Sequence, residues 1–340
     1  MKQNNVNVCI IQLSVVPYNF EENKNKVKKY IEKVMSRTQK PDIIVLPEMW
    51  NIGFTINKVD QYCDKDGAET QQFLKELASQ YGVMIIGGSV ANYDTQKKIY
   101  QNLNMNIDGK GQCLSTYAKV HLFSPSKEHT VFTRGNQFKV ASTKFLSNDI
   151  NQKDELDCIF SSVICYDIRF PEFIRSIALA GMELKKKLEN IPETTNTDKI
   201  QGGLDILFVS AAWPYPRLQH WRHLLIARAI ENQCFVVAVN NCGEMDGLTF
   251  CGHSLIIDPW GEVLMEGSGP LDDVLNDNSS KDDNTVQYRE IIKTEGDQRI
   301  GNHPCFDEIL MTSLSFDILK DIRQRICVFN DRFPEVYHCN

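Results

Sequence analysis

Val163-Ile164-Cys165-Tyr166-Asp167-Ile168-Arg169-Phe170-Pro171-Glu172-Phe173 is the stretch that decides the fold. The β-branched run through Val163 and Ile164 stops abruptly at Cys165, and Pro171 follows six residues later. Proline's fixed φ suits the first turn of a helix, so the pattern predicts strand, tight elbow and helix, with a cysteine at the elbow. A sulfur placed there sits at the rim of a sheet, near backbone N–H groups and a positive helix end, which favour the thiolate. A buried structural cysteine competes with this on the segment alone, because cysteine is among the most buried residue types. The rest of the chain has to choose between them.

The chain has 340 residues, 42% of them hydrophobic, enough for a large core. Its net charge is −7 and no lysine or arginine cluster forms a stripe for polyphosphate, which argues against a nucleic-acid partner. Residues Met1 to Asn7 lack a basic-then-apolar signal pattern, and no run approaches the roughly 18 apolar residues of a membrane span. The eleven cysteines are an odd count without a C-x-x-C pair, against both a disulfide framework and a zinc knuckle. A soluble protein of a reducing compartment is expected, cytoplasmic, with the mitochondrion as the alternative.

In chain order, strands and helices alternate. Val6 to Leu13 is an opening strand; Asn19 can cap a helix bearing Val27, Tyr30, Ile31 and Val34 on one face. Asp42 to Leu46 is a short apolar strand stopped by Pro47, Phe73 to Leu77 lies in a helix, and Val83 to Gly87 is a third strand. This rhythm implies a layered α/β architecture. Ile99 to Ile107 and Gln112 to Ala118 flank Asp108-Gly109 and predict a hairpin, so the sheets are mixed rather than all parallel. Beyond the Cys165 elbow come strands at 205–210, 235–240, 252–257 and 262–265, a helix at 218–232, and a closing strand and helix over 309–325. Segments 147–155, 182–203 and 267–304 are polar and break the pattern; they are expected as surface insertions in a single domain of 1–340, apart from the chemistry. Deleting the last of them is expected to spare activity.

Three elbows carry reactive groups: Glu48 after Leu46-Pro47, Lys119 after Tyr117-Ala118, and Cys165 after Ile164. Strand ends of an α/β sheet can converge on one crevice. There a carboxylate takes the thiol proton, the sulfur attacks a carbonyl or nitrile carbon, and the ammonium meets the developing oxyanion. Alone, Glu48 reads equally as a helix N-terminal acid and Lys119 as a solvated turn residue.

The segments Leu46-Pro47-Glu48-Met49, Lys119-Val120-His121-Leu122-Phe123 and Cys165-Tyr166-Asp167-Ile168-Arg169-Phe170-Pro171-Glu172 resemble those of the carbon-nitrogen hydrolases of the nitrilase superfamily, in order and near-spacing. The resemblance implies an α/β fold, the four-layer α-β-β-α sandwich with mixed sheets, and a homodimer. It implies Glu48 as general base, Lys119 as oxyanion-stabilising cation and Cys165 as acyl-forming nucleophile, with Glu128 as the supporting second glutamate. Ala211-Ala212-Trp213-Pro214, Arg217, His220-Trp221-Arg222, Ala227 to Gln233, Glu48 to Phe54 and Gly252-His253-Ser254 look most like the ω-amidase branch, whose members hydrolyse the terminal amide of 2-oxoglutaramate or 2-oxosuccinamate. A nitrilase, an N-carbamoyl hydrolase or another aliphatic amidase would use the same triad, and a non-catalytic scaffold is the reading from a different class.

A substrate of this kind carries a carboxylate, so the pocket should offer a cation; Arg169 and the loop with Lys127 and His129 are the sources on the sequence. Arg169 reads equally as a structural partner of Glu172 or another acid. Tyr166 is a backbone donor candidate, Trp213 either a pocket wall or core, and Phe54 a further pocket candidate. No cofactor is expected. No metal is expected either, since His220 and His223 lack a third ligand at suitable spacing.

Overall fold

The computed structural model describes residues 4–146, 155–190, 202–270, 272, 286–293, 299–300, 303–304 and 306–337. Strands are β1 (Asn5–Ser14), β2 (Ile43–Val45), β3 (Asp64–Lys65), β4 (Met84–Asp94), β5 (Ile99–Ile107), β6 (Cys113–Ala118), β7 (Val140–Leu146), β8 (Glu155–Ile164) and β9 (Ile206–Ala211). They continue with β10 (Phe235–Met245), β11 (Leu248–Cys251), β12 (Leu255–Ile257), β13 (Val263–Glu266), β14 (Tyr288–Lys293), β15 (Arg299–Ile300), β16 (His303–Pro304) and β17 (Phe306–Ser315). Helices are α1 (Phe20–Met35), α2 (Val59–Tyr62), α3 (Ala68–Tyr81), α4 (Pro171–Leu188), α5 (Leu218–Asn232) and α6 (Phe316–Arg325).

One sheet runs β6-β5-β4-β2-β1-β17-β14 and the other β7-β8-β9-β10-β12-β13. They are joined where β1 pairs in parallel with β10, Leu13 opposite Asn241 and Ser14 opposite Cys242. Strand alternation builds the layers. Val6, Val8 and Ile10 of β1 point into a core shared with Phe160, Phe208 and Val237 of the second sheet. Cys9, Ile11 and Leu13 point the other way, onto Val27, Ile31 and Val34 of α1 and Leu74 and Leu77 of α3. On the far side, Val163, Leu207 and Val209 pack against Ile174 and Ile177 of α4 and Trp221 and Leu225 of α5. The three cores separate four layers, α-β-β-α, with parallel and antiparallel pairs in both sheets. Asn19 caps α1, its side-chain oxygen accepting from Glu22 N at 3.1 Å.

The polar segments differ from the expectation of plain surface loops. Residues 147–154 and 191–201 lie outside the described residues, but Met182 to Leu188 simply continue α4, whose Lys185, Lys186 and Lys187 complement its C-terminal dipole. Within 267–304, Gly267 to Pro270 are buried, and Tyr288–Lys293 forms an edge strand paired to β17. Arg289 there pairs with fully buried Glu308 at 3.2 Å and Tyr288 is buried against the α1 side of the first sheet. Deleting 267–304 should therefore cost about 3–5 kcal/mol, because it strands a buried carboxylate. Equilibrium denaturation of the shortened chain measures this; unchanged stability would contradict it.

Candidate active site

The Glu48 elbow forms because β2 ends at Val45 and the chain must climb over β4. Gly88 (φ +66°) makes this possible: a Cβ there would lie 2.1 Å from Pro47 O. Ser89 N donates to Pro47 O at 3.0 Å and Met49 N to Ser89 Oγ at 3.1 Å, which holds Met49 at φ +52°, a left-handed conformation uncommon outside glycine. The Glu48 carboxylate is thereby turned inward and is fully buried.

Lys119 follows β6, its N–H donating to Asn102 O at 2.9 Å. Its buried ammonium donates to Glu48 Oε1 at 2.7 Å and to Glu128 at 2.9 Å (Oε2) and 3.1 Å (Oε1). Glu128 sits in a one-turn 3-10 helix, where its Oε2 also accepts from Phe123 N at 2.6 Å. Burial by itself would lower Lys119, but the Glu128 and Glu48 carboxylates outweigh it and push the amine well above its ordinary range, so it is a fixed cation. Glu48 is pushed up, first by burial and then by Glu128, although Lys119 and the donor Asn102 oppose the shift.

Cys165 stands directly after β8 at φ +48°. Asp167, fully buried, clamps the elbow: it accepts from Ile164 N at 2.9 Å, Tyr117 OH at 2.7 Å and His121 N at 3.1 Å. Because Tyr117 and His121 flank Lys119 in sequence, one aspartate sets the sulfur's elbow against the lysine's. The Cys165 thiol meets Glu48 and the N–H of Ala212, and that same N–H donates to Glu48 Oε2 at 2.7 Å. The expectation that the elbow favours a thiolate does not hold. Burial and the Glu48 carboxylate push the thiol up, outweighing Lys119 and the Ala212 N–H. The elbow turns into a short 3-10 segment, Cys165–Arg169, and the α-helix begins only at Pro171. A protonated thiol with a carboxylate beside it is an arrangement in which the carboxylate can act as a base.

Phe54, Tyr166, Arg169 and Trp213 line one cavity with Cys165, and Phe123, Ala212, Pro214 and Arg217 complete its wall. Arg169 lies over Trp213, 4.7 Å from the ring centroid, and donates toward His220 Nδ1 at 3.2 Å. Burial lowers Arg169, as does neighbouring Arg217. Among the described residues neither arginine has an acid within 4.0 Å, and Glu172 does not approach Arg169. Trp213 is both wall and core: its Nε1 donates to Arg217 O at 2.8 Å while its ring packs on Trp221. Lys127 and His129 are exposed and stand apart from this cavity. His220, which faces a guanidinium, is unsuited to hold a cation.

A buried Glu-Lys-Glu cluster against a thiol, on three strand ends of a double-sheet sandwich, is the arrangement that decides the family. Residues 7–270 match the carbon-nitrogen hydrolase family model. The chain belongs to the carbon-nitrogen hydrolase family. This carbon-nitrogen hydrolase is 41% identical over 250 residues to a 2-oxoglutaramate amidase of Bacillus subtilis, covering 72% of this chain and 80% of that protein. It is 34% identical to a Staphylococcus aureus protein described as a hydrolase in the agr operon, covering 76% of this chain and 85% of the other. Saccharomyces cerevisiae Nit3, a member of branch 10 of the nitrilase superfamily, shares the fold: TM-score 0.70 at 20% identity, over 96% of this chain and 95% of that one.

In this hydrolase the sequence motifs point to the acid, amine and thiol but pass over the groups that hold them. Asn102 contacts both carboxylates, Asp167 clamps the elbow, and Arg217 adds a second cation to the cavity. Asn102 was visible only as one of three asparagines alternating along β5, a weak signal without the partner strand.

Proposed function

We propose that this hydrolase removes the terminal amide of a short 2-oxo dicarboxylic acid monoamide, 2-oxoglutaramate or 2-oxosuccinamate, releasing ammonia and the 2-oxo dicarboxylate. The observation that carries the substrate class is the pair of guanidinium groups, Arg169 and Arg217, in the cavity of the Cys165 thiol, without acid partners among the described residues. A carboxylate on the substrate supplies the missing anion, and the 2-oxoglutaramate amidase relative agrees with that choice.

The reaction runs as follows. Glu48 takes the Cys165 proton as the sulfur attacks the amide carbon; the oxyanion is met by Lys119 and the backbone N–H of Tyr166. Protonated Glu48 then gives its proton to the amide nitrogen, the C–N bond breaks and ammonia leaves a thioester. Water, deprotonated by Glu48, attacks the thioester carbon, and the departing sulfur recovers the proton. Burial raises both Glu48 and the thiol, so the base is strengthened while the acid it must deprotonate is weakened. Glu128 stays out of the proton traffic: with the Lys119 ammonium and the Phe123 N–H on its oxygens, it is the fixed anion that holds Lys119 in place. A homodimer in the cytoplasm completes the proposal, and light scattering of the purified protein tests the dimer.

Replacing Arg169 or Arg217 with methionine should raise KM for 2-oxoglutaramate about 10- to 100-fold, the loss of one charge-assisted bond, and change turnover of an uncharged aliphatic amide much less. Equal losses on both substrates would remove the carboxylate from the assignment. Mass spectrometry of the acyl adduct on Cys165, with 2-oxoglutaramate against neutral amides, nitriles and carbamoyl amino acids, reads the preference directly.

A further inference from the structure

Asn102, Asn104 and Asn106 alternate along β5 and all three are buried. They use their amides differently. Asn104 donates to Gly88 O at 2.5 Å and Asn106 to the hydroxyls of Ser115 and Ser162 at 3.0 Å, ordinary satisfaction of neutral partners. Asn102 instead spends both N–H groups of one nitrogen on two acids, Glu48 Oε1 at 2.8 Å and Glu128 Oε1 at 3.1 Å, while its backbone oxygen accepts from Lys119 N. All three carboxamide oxygens are buried without a hydrogen-bond partner among the described residues, so Asn102 differs from its neighbours in the acids its donors meet. Turning the Asn102 amide over would aim its oxygen at two carboxylates, so the acids dictate its orientation.

We propose that Asn102 is a positioning residue of the reaction, giving one N–H to each buried carboxylate so that Glu48 stays ionised and aimed at the Cys165 thiol. This rests on the proposed role of Glu48 as base. The groups that face Glu48 are the Lys119 ammonium from the end of β6, the Glu128 carboxylate from its 3-10 turn and the Cys165 thiol from the elbow. The Ala212 N–H from the end of β9 and Asn102 from β5 complete the ring, and Asn241 Nδ2 donates to the Glu48 backbone oxygen. Among the described residues only Asn102 and Lys119 touch both acids. A donor to the charged form of a carboxylate favours that form, so removing it makes Glu48 protonate at higher pH.

The test is Asn102→Leu, close in volume, with two readouts against pH: alkylation of Cys165 by iodoacetamide, followed on the Cys165 peptide by mass spectrometry, and kcat/KM for amide hydrolysis. Both acid limbs should move up by about one pH unit, with a roughly tenfold lower rate on the rising limb. Asn102→Ser, which keeps a smaller donor, should move them less and remains informative if the leucine variant does not fold. Asn106→Leu, on the same face of the same strand but bonded only to the Ser115 and Ser162 hydroxyls, should lose stability and keep the wild-type limbs. Limbs unmoved in both Asn102 variants, or moved equally in Asn106→Leu, would overturn the proposal. Absence of amide turnover in the wild type would instead overturn the functional reading, while the alkylation limb would still judge Asn102.

Discussion

Cys165→Ala should lower amide hydrolysis at least about 10³-fold with the fold intact, because on the proposed mechanism the variant loses the atom that forms the acyl intermediate. The elbow itself should survive. Its left-handed φ is held by Asp167, which grips Ile164, Tyr117 and His121 rather than the sulfur, so alanine inherits the same clamp. Steady-state ammonia release from 2-oxoglutaramate, alongside circular dichroism and a thermal melt, measures both halves of the expectation. Turnover retained by the purified, folded variant would remove Cys165 from the mechanism. The complementary change, Asp167→Asn, keeps the sulfur and weakens the clamp. It should cost rate through misplacement of the thiol and of Lys119 together, since the same carboxylate accepts from both flanks of the lysine.

The three reactive elbows are legible in sequence because each follows a strand that a sharp local signal ends: Pro47 before Glu48, the charge of Lys119 after Tyr117-Ala118, and Cys165 six residues before Pro171. Strand period and helix capping, which are local, give the layers; Val8 and Cys9 face different cores for no reason beyond alternation. What local pattern cannot show is which strands become neighbours. Asn102 reaches Glu48 across 54 residues of chain and Asp167 reaches Tyr117 across 50, so their roles exist only once β4, β5 and β8 are assembled. The same limit hides β14. Tyr288, Ile291 and Ile292 are apolar enough for an edge strand, but they sit in an acidic, asparagine-rich stretch, and only the partner β17 gives Arg289 its buried acid. The lysine run of α4 misleads for a different reason: Lys185 to Lys187 read as a polar loop, yet a cation is favourable in the last turn of a helix. At Cys165 the motif points to a cysteine at the elbow but not to the upward push that burial gives its thiol, since burial depth is a property of the assembled sandwich.

Lys119→Met should be the more damaging change, costing both rate and fold. Methionine matches the length of the lysine stem, so packing is kept and the charge alone is lost. Glu48 and Glu128 then face each other with Asn102 between them and no cation, two buried like charges in a site with no exposure to water. One of them must take up a proton, or the cluster must open. Removing one partner of a buried ion pair costs about 3–5 kcal/mol, and on the proposed mechanism the oxyanion loses its cation as well, for a fall in kcat on the order of 10³ or more. The pH dependence has a definite sign. Like-charge repulsion raises the folded-state pKa of the acid that protonates above its unfolded value, so its contribution to stability is present below the ordinary glutamate range and is lost as pH rises through the raised value. In the wild type the Lys119 pKa is raised, so its contribution is fully present below the ordinary lysine range and offsets part of the burial of Glu48 throughout the neutral range, leaving Glu48 raised less than in the variant. The gap in unfolding free energy between wild type and Lys119→Met should therefore widen as pH is raised from about 4 to 7. Urea titrations at both pH values measure that gap. If it stayed constant while activity fell, the two glutamates would not share the lysine's charge, and Glu128 could no longer be the anion that fixes it.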